Sequence, residues 1–277
     1  MKIQVLIENS SNDHLLCEHG LSFYIQYHDH HYLLDASQSD AFMHNAKQLN
    51  IDLSLLDYAI LSHGHYDHGN GFTYLLAQYP LKIYAMANCV DSYYSNSKGT
   101  LRYIGLDQNL KSRYYDHFHF IDQVTVLDDF YLIPHSTSNL KQIGSDTGLF
   151  KKVDEKIIPD DFSHELSVVF KSEKGLIIIN SCSHAGFENI VEEVKKALPN
   201  EKIYAYIGGL HLKQMVNGKE CCRYDEQTLK SLCDYIQKEQ IQKIYCGHCS
   251  GNVTYELLKA QLKDIMNPLY SGLEIKI

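Results

Sequence analysis

Ser-His-Gly-His-Tyr-Asp-His-Gly-Asn-Gly, residues 62–71, brings His63, His65, Asp67 and His68 into one short run. Imidazole nitrogens and a carboxylate at this spacing are the ligands that zinc, manganese or iron accept. The interspersed glycines let the backbone turn tightly enough for the side chains to converge. Before the run, Leu-Asp-Tyr-Ala-Ile-Leu-Ser (56–62) is apolar and alternating enough to be a buried strand. After it, Phe72 to Gln78 suits a helix. The cluster therefore lies on a strand-to-helix loop, where a rigid scaffold commonly presents a site. A polar loop with histidines by chance is the competing reading, since the chain holds 16 His in 277 residues. Spacing, glycines and the preceding strand together favour metal.

A chain of this length is one large α/β domain or two small ones. Only five prolines occur and no Pro/Gly/Ser linker divides it, so one domain over 1–277 is expected. No apolar run approaches the length that spans a bilayer. Met-Lys-Ile-Gln-Val-Leu-Ile-Glu reads as a strand rather than a signal peptide. Eight scattered cysteines and no export signal point to the cytoplasm and reduced thiols. The net charge of −9, with no basic stripe, disfavours nucleic acid and anionic membranes as partners. A small-molecule substrate remains, and a homo-oligomer is left open.

Strands are expected at 2–8, 21–28, 31–35, 58–62 and 81–87, with a helix at 39–49. Residues 88–160 are Tyr-rich and irregular, with short strands at 124–127 and 130–133, and are expected to fold over the site as a lid or pocket wall. A hairpin over 166–171 and 176–180 follows. Helices at 187–197, 225–239 and 252–262 then alternate with strands at 202–207, 241–246 and 272–277. Strands alternating with helices in both halves fit two sheets packed between helices.

The motif His63-x-His65-x-Asp67-His68 resembles the hallmark of the metallo-β-lactamase superfamily. That resemblance implies an α/β, four-layer αβ/βα sandwich with two divalent metals at one edge, zinc first, manganese or iron as alternatives. It also implies further ligands. His164, in Asp-Asp-Phe-Ser-His-Glu, resembles the family's third motif and would serve the first metal, with Asp160 or Asp161 as the alternative. His184, in Ser-Cys-Ser-His-Ala-Gly, stands where many relatives carry a bridging Asp and is its natural substitute. His248, in Cys-Gly-His-Cys-Ser, looks like the family's last ligand, with His211 competing; whichever is not a ligand would face the substrate. Asp35 resembles the early Asp that orients the metal loop through hydrogen bonds. Glu18-His-Gly-Leu-Ser22, Ser181-Cys-Ser-His-Ala-Gly186, Gly208-Gly-Leu-His-Leu212 and Gly247-His-Cys-Ser-Gly251 together resemble the branch named after the dihydropterin-ribofuranosylaminobenzene phosphate synthase of methanopterin biosynthesis. There His19 would overhang the metals and contact substrate.

Two chemistries compete. Paired divalent metals bring the pKa of a bound water to about 7, which makes a metallo-hydrolase of small esters, phosphate esters and phosphodiesters foremost; Asp67 would both ligate and orient the attacking hydroxide. The branch resemblance also permits a synthase-type transfer joining a pterin to a phosphoribosyl aryl group. The other class is a thiol–disulfide oxidoreductase acting through Cys246-Gly-His-Cys249. That motif would have to open a helix in a thioredoxin-like domain, and here it lies near the end of a long chain.

Overall fold

The computed structural model describes residues 1–12, 14–97, 99–136 and 139–277. Residue 13 of the expected polar loop, and residues 98, 137 and 138 of the middle segment, lie outside them. The chain forms two compact units. One takes in 1–123, 134–166 and 270–277, the other 124–133 and 167–269.

The first unit is built on a seven-stranded sheet in the order Glu274–Lys276, Lys2–Ile7, Ser22–Tyr27, His30–Leu34, Tyr58–Ile60, Ile83–Met86, Phe118–Ile121. Its first four strands pair antiparallel, and from His30–Leu34 onward the pairing is parallel. Parallel neighbours need crossovers, and Ala41–Gln48 and Phe72–Gln78 supply two helical ones. Their apolar faces enter a core with Leu6, Leu33, Phe42, Ala46, Leu61, Phe72, Leu75 and Ile83. Each large side chain buried there contributes about 1.5–3 kcal/mol. The parallel register sets Leu34 beside Ile60, and the Asp35 N–H donates to the Ile60 carbonyl. Asp35 and Ser62-His63 therefore leave the sheet at the same edge.

The second unit has a sheet in the order Met266–Pro268, Lys243–Cys246, Ile203–Ile207, Gly175–Ile179, Leu166–Ser172, Phe130–Pro134, Thr125–Leu127. Its first four strands are parallel, and Leu166–Ser172 forms the expected hairpin with Gly175–Ile179. The helix Phe187–Ala197 buries Phe187, Ile190, Val191 and Val194, one stripe at helical spacing. Helices Glu226–Lys238 and Asn252–Leu262 complete the unit's alternation. The carboxyl ends of three parallel strands carry the loops that hold His184, His211 and His248.

The middle segment is more regular than its reading. The two expected short strands form as Thr125–Leu127 and Phe130–Pro134 and extend the second sheet, and Phe118–Ile121, which was not read, extends the first. A separate four-stranded sheet joins Lys156–Pro159, Leu149–Val153, Tyr93–Ser95 and Arg102–Tyr103. Helices Gln108–Arg113 and Leu140–Thr147 lie between. A further hairpin, Lys213–Val216 with Lys219–Cys222, was not read from the sequence. Among the described residues no helix is long and apolar enough to cross a membrane.

Burial pushes the His135 imidazole down from 6.5 to about 3. As the pH falls below the unfolded value, the unfolded chain takes up a proton that the folded chain refuses, so stability drops. Between pH 7 and pH 5 that loss is about 2 kcal/mol from this group. Denaturant unfolding of metal-free protein should show a smaller pH 7 to 5 loss in His135→Leu than in wild type. Equal losses in the two proteins would refute this role for His135.

Candidate metal centre

Asp35 closes its strand at φ 58°, a left-handed conformation that costs a non-glycine residue of order 1 kcal/mol. Its carboxylate is fully buried. Such burial costs several kcal/mol unless the oxygens are filled. Here the Ser62 N–H donates to Oδ1 at 2.8 Å and the Ser62 hydroxyl to Oδ2 at 2.7 Å. His68 Nδ1 lies 2.7 Å from the same Oδ2. A carboxylate only accepts, so this His68 nitrogen carries the proton. Ser62 Oγ, having given its hydrogen to Asp35, accepts from His63 Nδ1 at 2.8 Å. Both rings are therefore held with the proton on Nδ1, which makes Nε2 the acceptor nitrogen of each, the form in which an imidazole can ligate a metal. The two rings stand 4.2 Å apart between centroids.

Asp67 lies on the one-turn helix Tyr66–Gly69. Its Oδ2 is 3.1 Å from His19 Nε2 and 3.6 Å from His68 Nε2. Glu18 anchors the loop that presents His19. Its Oε1 accepts from Ser37 Oγ, Gln38 N and Ser39 N, and its Oε2 from Ser39 Oγ. Gln38 Nε2 also donates to the His19 carbonyl at 3.0 Å. The His19 ring stays half exposed at 53%.

His164 is buried beside the same loop, its ring 5.2 Å from that of His65 and 3.9 Å from that of Tyr93. The Gly64 N–H donates to His164 Nδ1 at 2.9 Å. That fixes the His164 proton on Nε2, which donates to Asp160 Oδ2 at 3.0 Å. A metal at Nε2 would displace that proton and break the Asp160 bond. One donor atom each of His65, Asp160 and His164 nevertheless lie within 4.8 Å of one another, so all three fit around one ion. Gly64 has no alternative: a Cβ there would sit 2.3 Å from the Cys89 carbonyl oxygen.

In the second unit, Asn180 organises the loop after Gly175–Ile179. Its Oδ1 accepts from Ser183 N at 2.6 Å and its Nδ2 donates to Ser167 Oγ at 3.0 Å. Ser183, at φ 57°, donates its hydroxyl to the Gly209 carbonyl and receives Tyr206 Oη. The Ser250 hydroxyl accepts from the Leu210 N–H, tying in the third loop. Gly208 sits at φ +137°, and a Cβ on it would approach the Asn180 carbonyl oxygen to 1.8 Å. The rings of His184 and His211 meet at 4.3 Å. His211 and His248 both adopt φ 51°.

None of the eight cysteines is in a disulfide. Cys249 Sγ donates to the Cys182 carbonyl at 3.4 Å. Cys246 is buried in its strand.

Within the first unit, His63, His65, Asp67, His68, His19, His164 and Asp35 thus lie around one loop. Within the second, His184, His211 and His248 share one sheet edge. The sequence reading passed over Ser62, Glu18, Asp160 as partner of His164, Asn180 and Cys182. Ser62 directly precedes the motif and Cys182 stands two residues before His184, so proximity to read ligands was the available signal. Imidazole, carboxylate and thiol together form a donor set that suits a divalent transition metal.

Residues 16–130 match the model of the Metallo-beta-lactamase superfamily. The chain is 27% identical to the 7,8-dihydropterin-6-methyl-4-(beta-D-ribofuranosyl)-aminobenzene-5'-phosphate synthase of Methanocaldococcus jannaschii, over 100% of this chain and 96% of that protein. Among solved structures it resembles Tm1679, described as a metal-dependent hydrolase of the beta-lactamase superfamily, at a TM-score of 0.84 and 26% identity over 100% of this chain and 99% of the other. Zn(2+)-bound PqqB from Methylobacterium extorquens shares the fold at a TM-score of 0.58 and 11% identity, covering 100% of both chains. The chain has the metallo-β-lactamase fold of mixed sheets and helices.

Replacing Asp35 by Asn would set an amide where His68 needs an acceptor, releasing the ring to take the other tautomer. Metal affinity of Asp35→Asn, measured by competition with a chromophoric chelator, should fall by about 10–100-fold. Unchanged affinity would remove Asp35 from the account.

Proposed function

We propose that this protein is a metal-dependent hydrolase of small esters, with phosphate monoesters and phosphodiesters the best-suited class. The observation that carries the reading is the pair of Nδ1 protons on His63 and His68, fixed by Ser62 and Asp35. With the proton on Nδ1, each Nε2 is the ring's acceptor nitrogen, the form in which a neutral imidazole ligates a metal. His63, His65, Asp67 and His68 are the first unit's donors, and the His164–Asp160 pair adds one more. His184 and His248 are the second unit's. They amount to enough ligands for about two divalent ions, zinc foremost, since one tetrahedral site takes about four.

Divalent ions held by these residues would supply an activated water and polarise the ester's oxygen. The remaining work belongs to side chains. Asp67 Oδ2, between His68 Nε2 and His19 Nε2, is placed to hold and orient a water proton. His19 is exposed enough to touch a substrate, and Glu18 keeps its loop in place. His211, against His184, is the second unit's substrate contact. Likeness to a structure described as a metal-dependent hydrolase supports this reading.

A synthase-type transfer is the second reading, favoured by the full-length similarity to the methanopterin-pathway synthase. A panel of phosphate monoesters, phosphodiesters and carboxylic esters, run beside a pterin plus ribofuranosylaminobenzene phosphate, separates the two. Water-dependent cleavage supports hydrolysis; a joined pterin–aryl product selects the synthase.

Elemental analysis of natively purified protein should find about two transition-metal ions per chain. Trace metal with no uptake on reconstitution would defeat the proposal. His65→Ala should abolish turnover, whereas Cys249→Ala should largely keep it. Equal damage from both, at unchanged metal content, would instead favour thiol chemistry through Cys246 and Cys249.

A further inference from the structure

We propose that Cys182 is a metal ligand, and that its sulfur is shared by two ions, one held with His184 and the other with His248. The inference rests on the metallo-hydrolase reading and adds to it a bridging residue. The sequence carries no Asp on the loop where relatives place a bridging carboxylate, and His184 was expected to stand in. An imidazole nitrogen offers a single lone pair and cannot bridge. A thiolate sulfur has lone pairs for two ions and brings the negative charge that a carboxylate would.

Three observations from the second unit place the thiol in that role. The Cys182 sulfur lies within 4.8 Å of a ring nitrogen of His184, and also within 4.8 Å of one of His248. A sulfur and a nitrogen on one tetrahedral zinc, at about 2.3 and 2.0–2.1 Å, are roughly 3.5 Å apart, so small side-chain movements suffice for both pairs. Cys182 is 3% exposed, which leaves little room for a competing role in solvent. Its backbone is also fixed on both sides. The Cys249 thiol donates to the Cys182 carbonyl, and the next residue, Ser183, is held left-handed by Asn180. Such outer contacts orient a ligand before the metal arrives. His184 then becomes a terminal ligand. A soft sulfur at the centre should also favour zinc or iron over manganese or magnesium.

Cobalt(II) is the probe, because thiolate coordination gives an intense near-ultraviolet charge-transfer absorption that imidazole and carboxylate do not. Wild type loaded with cobalt should show this band. Cys249→Ser should keep it. Cys182→Ser should lose it and retain about one ion per chain instead of two, and Cys182→Asp should recover two ions without the band. Circular dichroism checks that each variant is folded. Two cobalt ions bound by wild type with no thiolate band, or a band that disappears in Cys249→Ser and persists in Cys182→Ser, would overturn the assignment while leaving the metal centre standing. Failure of wild type to bind cobalt at all would overturn both.

Discussion

A buried carboxylate with three donors, Asp35, is the constraint from which the first unit's site follows. Left unfilled, it would cost several kcal/mol. Filled, it fixes the Ser62 backbone, the Ser62 hydroxyl and the His68 ring in a single act. Ser62 passes the constraint to His63. The metal loop is thus shaped by hydrogen bonds that do not need the metal, so the donors are organised before any ion binds. The parallel pairing of His30–Leu34 with Tyr58–Ile60 makes this arrangement geometrically available, because it brings both loops to one edge.

The second unit repeats the principle with neutral groups. Asn180 does for its loop what Asp35 does for the first, receiving Ser183 N–H and donating to Ser167. Ser183, His211 and His248 hold left-handed backbone, as do Asp35 and Ser37 in the first unit. Each such residue costs of order 1–3 kcal/mol and persists where surrounding contacts over-determine it. Strain at candidate ligands, or next to them, is what a preorganised site built from loops on rigid sheets would show. Gly64 and Gly208 serve the same end by letting backbone approach where any side chain would collide.

The sequence made the fold legible where signals were local. The stretch from 62 to 71 carries its ligands in one run. The helices at 187–197 and 252–262 repeat apolar residues at helical spacing, and they form with those same limits. Apart from the local pair at 124–127 and 130–133, residues 88–160 were opaque because their strands are two to five residues long and pair with distant partners: Tyr93–Ser95 with Leu149–Val153, Phe118–Ile121 with Ile83–Met86. Periodicity cannot register in so few residues. At the site, histidines stood out by type, whereas Ser62 and Asn180 are ordinary residues until their hydrogen bonds are known. That Gly64 and Asp160 engage both nitrogens of His164 is likewise a matter of three dimensions.

The account's central claim is that the Asp35–Ser62 network aims the Nε2 atoms of His63 and His68 at metal ions. Anomalous diffraction at the zinc edge from crystals of zinc-loaded protein tests it most directly. The account predicts one zinc on His63 Nε2 and another on His68 Nε2, each at about 2.0–2.1 Å, with both Nδ1 atoms still bonded to Ser62 and Asp35. Zinc found only away from these nitrogens, or bound through Nδ1 with the Asp35 contacts broken, would contradict it.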